Sequence, residues 1–123
     1  MKNETIKKII FSFVIVLFIF FLDRITKILI LNIAEEVGKV NIYVNSFLNF
    51  YLVWNNGIGF GLLSFDDDYV YNFITVIIIL INLIIVYLIF LEKGQKSLFL
   101  LIILGGSLGN LFDRLYYNAV PDF

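Results

Sequence analysis

The sequence predicts an all-α membrane protein, with three helices crossing a bilayer and a small extended platform on one side. Three observations predict it. Of the 123 residues, 61% are hydrophobic and mean hydropathy is +0.97. Charged residues make up only 15%, against roughly 25% in soluble domains. The apolar residues are also gathered into three long runs rather than spread along the chain. A soluble chain this short could not hide that much apolar surface, because small domains bury the smallest fraction of their chain.

The first span is expected at about 9–31. It begins with the run Ile9–Leu22, is interrupted by Asp23-Arg24-Ile25-Thr26-Lys27, and resumes at Ile28–Leu31. Lys2, Lys7 and Lys8 precede it, as in a cleavable signal peptide. The apolar run is at the upper limit for such a segment, however, and Asp-Arg stands where small residues would be cleaved, so a retained anchor is expected. The second span is expected at 69–91, with Asn72, Thr75 and Asn82 as its strongly polar members. The third, at about 97–113, is slightly short for the ~20 residues of a full crossing.

Flanking charge orients these spans. The N-terminal lysines and the loop Glu92-Lys93-Gly94-Gln95-Lys96 fall on one side, which is expected to be cytoplasmic. The 32–68 segment, carrying Glu35, Glu36 and Asp66-Asp67-Asp68, then faces outward together with residues 113–123. Within it, Val40–Val44 and Phe47–Val53 read as short strands with a turn at Asn45-Ser46. Asn55-Asn56-Gly57, Gly59 and Gly61 mark a tight or closely approached turn. A small β platform is therefore expected at about 38–62.

Absent residue types narrow the chemistry. With no Cys and no His, zinc sites, iron–sulfur clusters, thiol nucleophiles and His-based triads have no ligands or base. No metal or cofactor is expected. A formal charge of −1 argues against nucleic acid as a partner. The alternating glycines at 57, 59 and 61 lack the Gly-Lys-Ser/Thr of a phosphate loop.

Ionisable residues inside a span are costly and so mark candidate sites. Asp23 and Lys27 are four apart and share a helix face, while Arg24 is expected to snorkel towards the outer interface. Gly105 and Gly109 form a G-x-x-x-G that permits close helix approach. Asn110, Asp113 and Arg114, three and four apart, are expected to turn one polar face into a common space. Val120-Pro121-Asp122-Phe123 ends in an extended, helix-breaking segment that presents Asp122 at the same outer surface.

In order along the chain stand Asp23-x-x-Thr26-Lys27, Asn55-x-Gly57-x-x-Phe60, Gly105-Gly106-x-x-Gly109-Asn110-x-x-Asp113-Arg114 and Val120-x-Asp122-Phe123. This set resembles the lipoprotein signal peptidase (signal peptidase II) family of bacterial inner-membrane aspartic proteases. The resemblance runs from about residue 12 to the last residue. Two positions depart from the usual pattern, Ile58 where the family has a small residue and Gly61 where it often has Ser.

The resemblance implies a four-helix bundle with a small periplasmic β-cradle, here about 38–62, in a single membrane-embedded domain. It implies cleavage of diacylglyceryl-modified prolipoproteins before the lipid-bearing cysteine, by two aspartates at the outer membrane surface. The first maps to Asp122. The second belongs to a Phe-Asn-x-Ala-Asp motif that the 123 residues do not contain. One carboxylate must be ionised to take a proton from water while the other, protonated, polarises the scissile carbonyl. An N-terminal fragment, inactive alone, is therefore expected. Asp113, Asn110, Arg114, Asn55, Asp23 and Lys27 are expected as supporting residues, and Gly57, Phe60 and Trp54 as substrate contacts. Expected partners are the lipid-modified prolipoprotein and membrane lipids, with a monomeric chain, a cytoplasmic N-terminus and a periplasmic site.

A competing reading is a small non-enzymatic membrane subunit in which Asp23, Lys27 and Asp113 relay protons or ions. A relay needs ionisable groups across the bilayer, and the second span carries none between Tyr69 and Leu91.

Overall fold

The computed structural model describes residues 2–57 and 67–123. In chain order the elements are α1 (Lys2–Val37), β1 (Asn41–Asn45), β2 (Leu48–Tyr51), β3 (Val53–Asn55), α2 (Asp68–Leu91), α3 (Gln95–Tyr117) and β4 (Val120–Asp122). All three helices are long and apolar enough to cross a bilayer. Each expected span lies inside one of them, and the chain is a multi-pass membrane protein.

Two helices run further than expected. α1 passes unbroken through Asp23–Lys27 and continues to Val37. No proline or glycine interrupts it before Gly38, whose φ of +76° ends the helix as its N–H bonds the Ala34 carbonyl at 2.9 Å. Its 36 residues measure about 54 Å at 1.5 Å per residue, well beyond the ~30 Å hydrocarbon core. α3 continues one turn past Asp113 to Tyr117, where Asn118 takes a left-handed φ of 59°. Its 23 residues suffice for a full crossing, which the expected 97–113 did not. Asp113 and Arg114 accordingly lie a turn inside the helix.

α3 is the middle helix and packs against α1 on one side and α2 on the other. Ile89 of α2 and Leu101 and Leu104 of α3 form the buried core, with Val16 of α1 and Ile85 of α2 against it. The expected close approach occurs at the glycines. A Cβ on Gly105 would stand 2.6 Å from the Cβ of Ile19, so only glycine lets α1 and α3 meet there. Most large apolar side chains of α1 point outward, as lipid contact requires.

The expected single platform is two antiparallel pairs. β1 and β2 pair with Asn41 opposite Tyr51, and a bulge falls between Tyr43 and Asn45. Their turn is closed by the Phe47 N–H donating to Asn45 Oδ1 at 2.8 Å. The second expected strand then splits at Leu52. Val53–Asn55 leaves β2 and pairs with β4, matching Val53 with Asp122, Trp54 with Pro121 and Asn55 with Val120. Pro121 has no N–H to donate, which a two-stranded edge tolerates. The part of the expected platform after Gly57, including Gly59, Phe60 and Gly61, lies outside the described residues.

Candidate active site

Helical continuity through the charged stretch of α1 places Asp23, Arg24 and Lys27 along the side facing α3. From α3 come Asn110 and Asp113, one turn apart. Lys27 Nζ lies 3.0 Å from Asp23 Oδ1, 2.6 Å from Asp113 Oδ2 and 2.7 Å from Asn110 Oδ1. Arg24 reaches Asp23 Oδ2 at 3.0 Å and Asp113 Oδ1 at 2.5 Å. The Arg24–Asp113 contact is ionic rather than a well-directed hydrogen bond. Two acids and two bases thus form a neutral cluster in which Asp113 is 0% exposed.

This corrects the expected outward reach of Arg24. Its side chain is buried and turns inward, with the guanidinium 4.8 Å above the Phe112 ring. Snorkelling spares an unpaired cation the bilayer, whereas Arg24 has two carboxylates and an aromatic face to meet it. Gly109 makes the cluster possible, since any Cβ there would collide with the Asp23 carboxylate.

Arg114 follows Asp113 but serves a different contact. Its guanidinium sits 5.5 Å from the Tyr71 ring centroid, and the Tyr71 hydroxyl donates to the Arg114 carbonyl at 2.9 Å. The expected common polar face is therefore divided: Asn110 and Asp113 fasten α3 to α1, and Arg114 fastens it to α2. Arg114 is nearly fully buried, and its Nη1 has no hydrogen-bond partner among the described residues.

Asp122 is presented by the β3–β4 pair. After the turn at Asn118, Ala119, Val120 and Pro121 are buried and anchor the segment. Asp122 is half-buried, and its Oδ2 accepts a 2.9 Å hydrogen bond from Asn55 Nδ2. The Asn55 Oδ1 in turn accepts the Gly57 N–H at 2.8 Å, fixing the amide orientation. Asp122 is therefore the acid of the set held by a neutral donor, whereas Asp23 and Asp113 are each committed to two cations.

Beside the pair, Trp54 packs on Tyr117 with ring centroids 5.6 Å apart and is 46% exposed. Both rings border an open cavity of about 410 Å³ whose other wall is the C-terminal end of α1, at Ile28, Leu31 and Glu35. The cavity is thus an aromatic and aliphatic shelf with a polar edge. Sequence reasoning missed Tyr71, Phe112 and Tyr117. A lone aromatic in an apolar helix carries no signal that separates a site contact from a lipid-facing ring.

Compared with known proteins, residues 15–123 match the family model for signal peptidase (SPase) II. The lipoprotein signal peptidase of Pelagibacter ubique is 42% identical over 123 residues, which are the whole chain and 74% of the relative. That of Aquifex aeolicus is 41% identical over 107 residues, 85% of the chain and 62% of the relative. That of Rickettsia bellii is 34% identical over 114 residues, 89% of the chain and 56% of the relative. The matches thus span 56% to 74% of these relatives' lengths. No solved structure matches the chain.

Proposed function

This chain belongs to the signal peptidase II family, and on that premise we propose that it presents Asp122 as one catalytic carboxylate of a lipoprotein signal peptidase. The substrate is a diacylglyceryl-modified prolipoprotein, cut before its lipid-bearing cysteine. The observation that carries the assignment is the hydrogen bond from Asn55 to Asp122 across β3 and β4. A neutral donor fixes the direction of the carboxylate without pairing it to a cation.

Hydrolysis by this route has no covalent intermediate. One carboxylate takes a proton from the attacking water, and a second, protonated one polarises the scissile carbonyl. Asp113 does not serve as that second group, because it is buried and neutralised by Arg24 and Lys27. We place the second carboxylate in the further length that the matched relatives have. Asn55 is a donor near the developing oxyanion, and the buried cluster braces α1 against α3 beneath it. The lysines at the other end of the bundle support a cytoplasmic N-terminus, which puts Asp122 on the periplasmic face of a bacterial inner membrane. Two acyl chains on the substrate would fix the depth at which its scissile bond arrives.

The test is cleavage of a purified diacylglyceryl prolipoprotein in detergent by the protein from its full open reading frame, with and without globomycin. Globomycin-sensitive release of the signal peptide is expected. Absence of cleavage by a folded protein, with ion flux in liposomes, would replace this reading with the relay.

A further inference from the structure

We propose that the β1–β2 ribbon is a membrane-seated finger, with one of its faces and its tip residue Phe47 in the lipid beside the helices. This seat needs only the three spans and is independent of the peptidase reading. Two features carry it: the sorting of residues between the faces of the ribbon, and the exposure of the ribbon beyond its base.

Opposite residues of an antiparallel pair share a face, and the faces alternate along each strand. Asn41 stands opposite Tyr51 and Tyr43 opposite Asn49, so one face carries two asparagines and two tyrosines. Ile42 stands opposite Phe50, and Leu48 lies two residues before Phe50, so the other face carries Ile42, Phe50 and Leu48. Asn45, opposite Leu48 past the bulge, turns its side chain back to accept the Phe47 N–H. No charged residue stands between Lys39 and Asp66.

The ribbon is rooted at its base and free at its tip. Val40 is buried, the Leu52 N–H donates to the Val40 carbonyl at 3.4 Å, and the chain then enters the β3–β4 pair. Beyond that base every residue of β1 is exposed, as is all of β2 except the half-buried Phe50. Phe47, in the turn, is 99% exposed, so the tip stands clear of the helices. The five residues of β1 carry it about 16 Å from the base at ~3.3 Å each. A two-stranded ribbon is marginal in water, and edges that face water are ordinarily guarded by charge or proline. This ribbon has neither.

The tip meets the main demand that lipid makes of a backbone. Because the Phe47 N–H is already held by Asn45 Oδ1 at 2.8 Å, the ring can enter without bringing an unpaired donor. The outer edges of a two-stranded ribbon still carry unpaired backbone groups, which holds it at the boundary of headgroups and acyl chains. Tyr43 and Tyr51 on the reverse face are of the residue type enriched at that boundary. With no Lys or Arg in the ribbon, apolar contact alone seats it, and lipid charge has no part.

The chain has no cysteine, so single cysteines in the protein from its full open reading frame each take one spin label. In lipid nanodiscs, collision with oxygen reports lipid and collision with a water-soluble nickel chelate reports water. Labels at Phe47→Cys, Ile42→Cys and Leu48→Cys should favour oxygen several-fold, like a label at Phe18→Cys on the exposed apolar side of α1. Labels at Asn41→Cys and Asn49→Cys should favour nickel, like one at the exposed Glu36→Cys. The pattern should be the same with and without phosphatidylglycerol in phosphatidylcholine. Phe47→Asp added to Leu48→Cys should lower the oxygen preference several-fold. Circular dichroism checks the fold, and the exposed Phe47 and Leu48 positions decide if Ile42→Cys disturbs the ribbon. Nickel preference at Phe47 and Leu48 would overturn the proposal by placing the ribbon in water. So would exclusion of both reagents, which marks a second copy if the spectra broaden and cover by the rest of the chain if they do not.

Discussion

The carboxylate of Asp23 occupies the space that a side chain at position 109 would need, so Gly109 and Asp23 are fitted to each other across the α1–α3 contact. Gly106, three residues earlier, has nothing beyond its own stretch of helix within 4 Å of where its Cβ would be. The two glycines therefore separate close approach from chain flexibility. Gly109→Ala should destabilise the bundle by about 1–3 kcal/mol, because Asp23 is pinned by Arg24 and Lys27 and cannot give way. Gly106→Ala should be neutral or stabilising by about 0.5–1 kcal/mol. Thermal unfolding in detergent distinguishes them, and equal effects would contradict the fit.

Removing one charge of the buried cluster leaves the others uncompensated. Asp113→Asn keeps the shape but sets Arg24 and Lys27 against Asp23 alone, and should cost about 3–5 kcal/mol. Lys27→Met in the same chain removes the surplus cation and should recover part of that loss. A double-mutant cycle read by unfolding is the check, with coupling above about 1 kcal/mol expected. Additive losses would show that the cluster does not act as a unit.

Asn55 should matter to turnover more than to folding. Asn55→Ala removes the donor to Asp122, and a hydrogen bond to a charged group contributes about 1.5–3 kcal/mol. Cleavage by the full-length protein should fall about tenfold to a hundredfold. Asn55→Asp should fall further, because a second carboxylate would face Asp122 and raise the proton affinity of the pair. Its pH–rate profile should shift upward, and an unchanged profile would sever Asn55 from the reacting acid.

Much of this arrangement is legible in the residues. The three spans follow from long apolar runs, even with Asp23–Lys27 interrupting the first, and the α1–α3 contact follows from Gly105 and Gly109. Helix ends were less legible: polar residues such as Asn32 and Glu35 do not stop a helix, and α1 runs on to Gly38. The burial of Arg24 is not legible in the sequence, because it depends on Asp113 and Phe112, nearly ninety residues away. The pairing of β3 with β4 was invisible for a similar reason. Each strand has three residues, too few for periodicity to name a partner. The position of Asp122 was legible only through the ordered motifs, and its hydrogen bond to Asn55 only through the fold.

The most direct measurement is prolipoprotein cleavage by the full-length protein carrying Asp122→Asn, with its unfolding temperature taken alongside. The account predicts a loss of at least about 10²–10⁴-fold, the usual contribution of a positioned acid–base group, with stability close to that of the unaltered protein. Asp113→Asn should instead lose stability first. Cleavage retained by Asp122→Asn, or its loss only through unfolding, would contradict the assignment of Asp122 as a catalytic carboxylate.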